Sequence, residues 1–127
     1  MRRPIVLDAG ALIALERRNR KIIADLFVAT RYRIPIYVPA GVIAQVWRGT
    51  PKQHGIAVLL KSEAISVVPL DDDTARKVGI LIGHTGTTDI VDGHVALLAG
   101  MLGATVYTSD PQDISALNAT LDIEVIS

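Results

Sequence analysis

Residues 5–15, IVLDAGALIAL, read as a buried strand running straight into a helix, with an aspartate at the join. Ile5-Val6-Leu7 is an unbroken apolar run of the kind a parallel strand needs when both its faces are covered. Ala9 to Glu16 then follows as a helix. Asp8 therefore sits just past the carboxyl end of a strand, where open α/β sheets gather their ligands.

Outward from this unit the chain keeps alternating. The spacing of Ile22, Ile23, Leu26 and Phe27 predicts a helix from about Arg20 to Thr30, and Ile36-Tyr37-Val38 a short strand between two prolines. Helices follow at Ala40–Trp47 and Pro51–Leu60, then a strand at Ala64–Pro69. Asp71 to Asp73 open a helix reaching Ile82, and Gly83 to Thr88 read as a loop. A long helix spans Ile90 to Leu102 and stops at Gly103. Ala104–Thr108 is a strand, Pro111–Asn118 a short helix and Ile123–Ile126 a last strand. Short apolar strands separated by helices make a three-layer α/β/α sandwich around a mostly parallel sheet of four or five strands. At 127 residues the chain, 1–127, forms a single domain.

Composition narrows the chemistry. Half the residues are hydrophobic and a fifth charged, as in a globular protein. There are no cysteines, which excludes disulfides and thiolate metal sites and fits a cytoplasmic protein. Met1-Arg2-Arg3-Pro4 resembles a signal-peptide head, but Asp8 ends the apolar run after three residues, so export is not expected. The most apolar stretch, Val91 to Tyr107, carries Asp92 and His94, and no membrane association is expected.

The net charge of zero hides an uneven distribution. All thirteen Lys and Arg lie in residues 1–77 with seven acids; residues 78–127 hold six acids and no Lys or Arg. Asp89 with Asp92 and Asp110 with Asp113 account for four of those six. Carboxylates without basic partners call for a cation, and hard ions such as Mg²⁺ or Mn²⁺ choose oxygen ligands, water and substrate phosphate. A basic surface beside an acidic pocket suits phosphodiester chemistry. Taken singly, Asp8, Asp89 and Asp110 also read as helix N-caps, and Asp92 and Asp113 as first-turn acids favoured by the helix dipole.

Three stretches, IVLDAGALIAL, DIVDGHVALLAG and VYTSDPQDI, together resemble the PIN domain, in particular the VapC-like toxins of toxin–antitoxin pairs. The resemblance covers nearly the whole chain. It implies a metal-dependent endoribonuclease in which Asp8, Asp92 and Asp110 hold Mg²⁺ or Mn²⁺, with Thr108 and Ser109 as the hydroxyl residues before the last acid and Asp113 following it. It also implies a cognate antitoxin, an RNA substrate, and a homodimer or a heterotetramer or larger complex with the antitoxin.

One departure stands out. The family's usual glutamate on the helix after the second strand is here Gln45, in PAGVIAQVWR. Asp89, three residues before Asp92, shares a helix face with it and is the candidate replacement, making the working set Asp8, Asp89, Asp92 and Asp110 with Gln45 in support. The alternative is a catalytically weakened domain that binds RNA or antitoxin without cutting. Arg48 and Lys52, close to Gln45 in sequence, are the candidate phosphate contacts. His94 reads as packing or surface. A receiver-type phosphorylation domain would need a lysine late in the chain, and none follows Lys77. A haloacid-dehalogenase-type phosphatase would need an aspartate where Gly10 stands.

Overall fold

The computed structural model describes residues 2–126. Its elements run β1 (Ile5–Leu7), α1 (Ala9–Glu16), α2 (Arg20–Arg31), β2 (Ile36–Pro39) and α3 (Ala40–Val46). After a 3₁₀ turn (Pro51–Gln53) come α4 (His54–Lys61), β3 (Ile65–Val68), α5 (Asp72–Thr85), α6 (Ile90–Leu102), β4 (Thr105–Thr108), α7 (Pro111–Leu117) and β5 (Asp122–Val125).

All five strands are parallel and lie in the order β3-β2-β1-β4-β5. Strand β1 is therefore central, which explains why Ile5, Val6 and Leu7 are buried without a polar break. From β1 the chain steps one way to β2 and β3; from β4 it steps the other way to β5. Right-handed crossovers put the two sets of connections on opposite faces. The contacts sort accordingly: α1 packs with α2, α3 and α4, while α6 packs with α5 and α7. This is the expected three-layer sandwich.

The helix boundaries follow local chemistry. Asp8, Asn19, Asp71 and Asp89 cap α1, α2, α5 and α6, each side chain accepting a backbone N–H three residues on. Helix α5 runs on to Thr85, so half of the expected loop 83–88 is helical. Gly83 sits inside the helix with open space around it, and Gly86, at φ 72°, ends it. Helices α1, α2 and α6 finish in the same left-handed turn, with the C″ N–H returning to the C3 carbonyl: Asn19 to Ala14, Ile34 to Ala29 and Ala104 to Ala99. Helix α6 uses Gly103 for the left-handed residue, whereas α1 and α2 use Arg18 (φ 58°) and Arg33 (φ 56°), at a cost of about 1 kcal/mol each.

Candidate functional site

The strand order reverses between β1 and β4, and the crevice above their carboxyl ends is where such sheets bind ligands. Two of the predicted acids are delivered there by the backbone alone. Asp8 follows Leu7 directly, its N–H donating to the Tyr107 carbonyl at 3.2 Å. Asp110 lies two residues past Thr108, the end of β4.

Asp8 is buried at 6% exposure, and its Oδ1 accepts the Ala11 N–H at 3.0 Å. Burial pushes its carboxyl above the ordinary carboxylate range, opposed by the Thr108 hydroxyl and the Ala11 N–H, with the Asp110 charge pushing further up. Thr108 is fully buried and its Oγ1 accepts the Asp110 N–H at 2.9 Å, so one hydroxyl joins the two acid-bearing loops. Gly10 makes this junction possible. A Cβ there would lie 2.2 Å from Ser109 Oγ, so only glycine lets the start of α1 approach the end of β4.

Helix α6 aims the remaining acids at the same place. Asp89 caps it, accepting the Asp92 N–H at 2.9 Å, and Asp92 stands in the first turn. The Asp92 carboxyl is pushed up to about 6, first by burial and then by the charges of Asp89, Asp113, Asp8 and Asp110, in that order. Its neighbours in electrostatic reach are thus four other aspartates. None of the five makes an ion pair among the described residues. Asp89, Asp92 and Asp113 also share the lining of a cleft of about 290 Å³ with Thr87 and Thr88. Gly93 settles the helix in place: a Cβ would lie 3.0 Å from Val78 and 3.2 Å from Ile82 on α5.

The cap readings divide. Asp8 and Asp89 are caps and pocket acids at once, whereas Asp110 makes no side-chain cap for α7. Asp113 stands closer to the centre of the site than its sequence reading gave it, because α7 packs on α6 and turns that first-turn acid towards Asp92. Gln45 is exposed on α3, one turn along from Gly41, which abuts Val91 of α6. Arg48 folds back, its guanidinium donating to the Ala44 and Trp47 carbonyls at 3.2 and 2.8 Å. Lys52 lines an apolar cleft between α1, α2 and α4. His94 is buried, and burial lowers its imidazole below the ordinary value; it belongs to the core.

Sequence reasoning overlooked Gln53. Its side chain is 2% exposed and ties the turn after α3: Oε1 accepts the Arg48 and Gly49 N–H groups at 2.8 and 3.1 Å, and Nε2 donates to the Val46 carbonyl at 2.8 Å. A lone glutamine after a helix-starting proline carries no pattern that would reveal this role.

The donor set is all oxygen, anionic and free of basic partners, which fits a hard divalent cation and no soft metal. Among the described residues no three His, Cys, Asp or Glu side chains come together closely enough to hold a metal ion.

The architecture, a central parallel sheet with acids above its switch point, is the PIN-like α/β/α fold. No family model matches the chain, and no curated protein matches it in sequence. Solved structures match it along its length. A chain of VapBC2 from Rickettsia felis, solved bound to a promoter DNA fragment, aligns with TM-score 0.70 at 12% identity over 97% of this chain and 98% of its own. DNA-bound VapBC from Salmonella typhimurium aligns with TM-score 0.70 at 16% identity over 98% of each chain. PAE2754 from Pyrobaculum aerophilum aligns with TM-score 0.62 at 20% identity over 97% and 92%. At these identities the likeness is one of fold.

Proposed function

We propose that the protein is a metal-dependent endoribonuclease and acts as the toxin of a toxin–antitoxin pair. The observation that carries this reading is that Asp89, Asp113, Asp8 and Asp110 all lie within electrostatic reach of Asp92, and that none of the five makes an ion pair among the described residues. Asp8, Asp92 and Asp110 would hold Mg²⁺ or Mn²⁺, with Asp89 and Asp113 alongside supplying the negative charge that Gln45 lacks. A divalent ion there supplies Lewis-acid polarisation of the phosphodiester and of the attacking water.

The chain's own residues do the rest. Thr108 holds the Asp8 and Asp110 loops in register, and Gly10 lets them meet.

The toxin role draws on the motif resemblance and on the fold shared with the VapBC structures. An antitoxin also has a place to dock. A cleft of about 600 Å³ is lined by Leu15, Ile23, Leu26 and Val58, with Glu16, Arg18 and Lys52 also on its lining, suiting an apolar segment. No helix among the described residues is long and apolar enough to cross a membrane.

The test is cleavage of structured RNAs by the purified chain with Mg²⁺ or Mn²⁺, with and without EDTA. Residues that merely support a metal ligand cost 10–100-fold on removal, so Asp8→Asn should lose more than about a hundredfold. Tight RNA binding with no products in either metal would instead establish the non-cutting reading.

A further inference from the structure

Helix α2 buries Ile22, Leu26 and Ala29, and its opposite side presents Arg20, Ala24, Phe27 and Arg31. Phe27 is 67% exposed, the most exposed large apolar side chain among the described residues. The helix's one acid, Asp25, is turned away from this side, accepting the Tyr107 hydroxyl at 2.7 Å and pairing with Lys21. Arg17, Arg18, Arg20, Arg31 and Arg33 make no ion pair among the described residues. The outer face is a bare ring between uncompensated guanidinium groups.

The backbone adds an independent sign. Arg18 and Arg33, one at each end of α2, hold the left-handed position that Gly103 takes in the same motif at α6. Glycine would relieve both; the chain accepts strain and keeps the side chains. A cleft of about 340 Å³ lies between the start of α2 and the end of β4. It is lined by Gly10 and Ser109, next to Asp8 and Asp110, and by Arg17 and Asn19 at the start of α2.

We infer that the outer face of α2 is a track for single-stranded RNA, which stacks a base on Phe27 between Arg20 and Arg31. The inference rests on the ribonuclease reading for the identity of the polymer. An exposed ring flanked by cations matches unpaired bases and phosphates. A duplex hides its bases, and a membrane surface calls for a broader apolar face than Ile23, Ala24 and Phe27 present between arginines.

The experiment measures fluorescence anisotropy of a labelled 12-nucleotide single strand on the full chain in EDTA. Phe27→Ala should weaken binding about tenfold, Phe27→Trp should restore it, and a 12-base-pair duplex should be indifferent to both. Arg20→Gln and Arg31→Gln should each flatten the slope of log affinity against log salt by about 0.7. The track is overturned if Phe27→Ala binds the single strand like wild type, or if duplex binding falls equally. It is also overturned if the variant loses only its binding to phosphatidylserine vesicles or its self-association in sedimentation. Wild-type cleavage of the same strand with Mn²⁺ is scored in parallel. Phe27-dependent binding without cleavage retires the ribonuclease reading and leaves the track standing; cleavage with Phe27-independent binding retires the track alone.

Discussion

Replacing Asp92 by asparagine should stabilise the folded protein at neutral pH, although it removes an acid from the first turn of a helix. The Asp92 carboxyl rises from 3.8 to about 6 on folding. At 1.36 kcal/mol per pH unit this corresponds to about 3 kcal/mol. Asp92 is only half-buried, so screening by solvent and salt reduces it to roughly 1.5 kcal/mol. Against this, asparagine forgoes a favourable interaction with the helix dipole of about 0.5 kcal/mol. Repulsion wins, and Asp92→Asn should gain about 1 kcal/mol at pH 7.5.

The pH dependence follows from the same shift. The folded state holds this proton more tightly than the unfolded chain, so its penalty is absent below about pH 4, grows as pH rises through about 6, and is complete above about 7. Urea unfolding followed by circular dichroism in EDTA, from pH 4.5 to 7.5, should show wild type losing about 1 kcal/mol more than the variant across that range. Adding Mn²⁺ at pH 7.5 should stabilise wild type more than Asp92→Asn. Parallel stability curves for the two proteins, or a variant weaker than wild type at pH 7.5, would refute the account of a crowded, uncompensated acid.

Three further substitutions probe the frame around the site. Gly10→Ala forces a Cβ to 2.2 Å from Ser109 Oγ and should cost about 3 kcal/mol in urea unfolding, with Ser109→Gly recovering only part, because the Ser109 backbone N lies 3.0 Å away as well. Gln53→Ala leaves three backbone groups of the turn after α3 without partners; a loss of about 2–3 kcal/mol and faster proteolysis within residues 47–50 are expected. Asp89→Asn keeps a competent cap, and relief of its repulsion on Asp92 offsets the lost dipole interaction, so it should unfold like wild type, while Asp89→Ala should lose about 1 kcal/mol. If Asp89 also helps to hold the ion, Asp89→Asn should lower metal-dependent cleavage about tenfold; wild-type turnover would assign it to capping alone.

Much of this architecture is written locally. Apolar runs of three or four residues ending in Asp8 or Thr108-Ser109-Asp110, caps such as Asp71 and Asp89, and the stop at Gly103 depend on residues within one turn, so their pattern predicts both elements and ends. The left-handed Arg18 and Arg33 escape such reading, since arginine carries no turn signal. The continuation of α5 through Gly83 escapes it too, because glycine marks helix ends more often than interiors.

What sequence alone determined was an alternating chain with unpaired acids at strand ends. That Asp8 and Asp110, about a hundred residues apart, face one another was decided by β1 pairing with β4 and by Gly10 admitting Ser109. That Asp113 reaches Asp92 was decided by α7 packing on α6. Local preferences extend over a turn of helix or a strand pair; which ends of distant elements share a crevice is set by burying the apolar faces of the whole sheet at once.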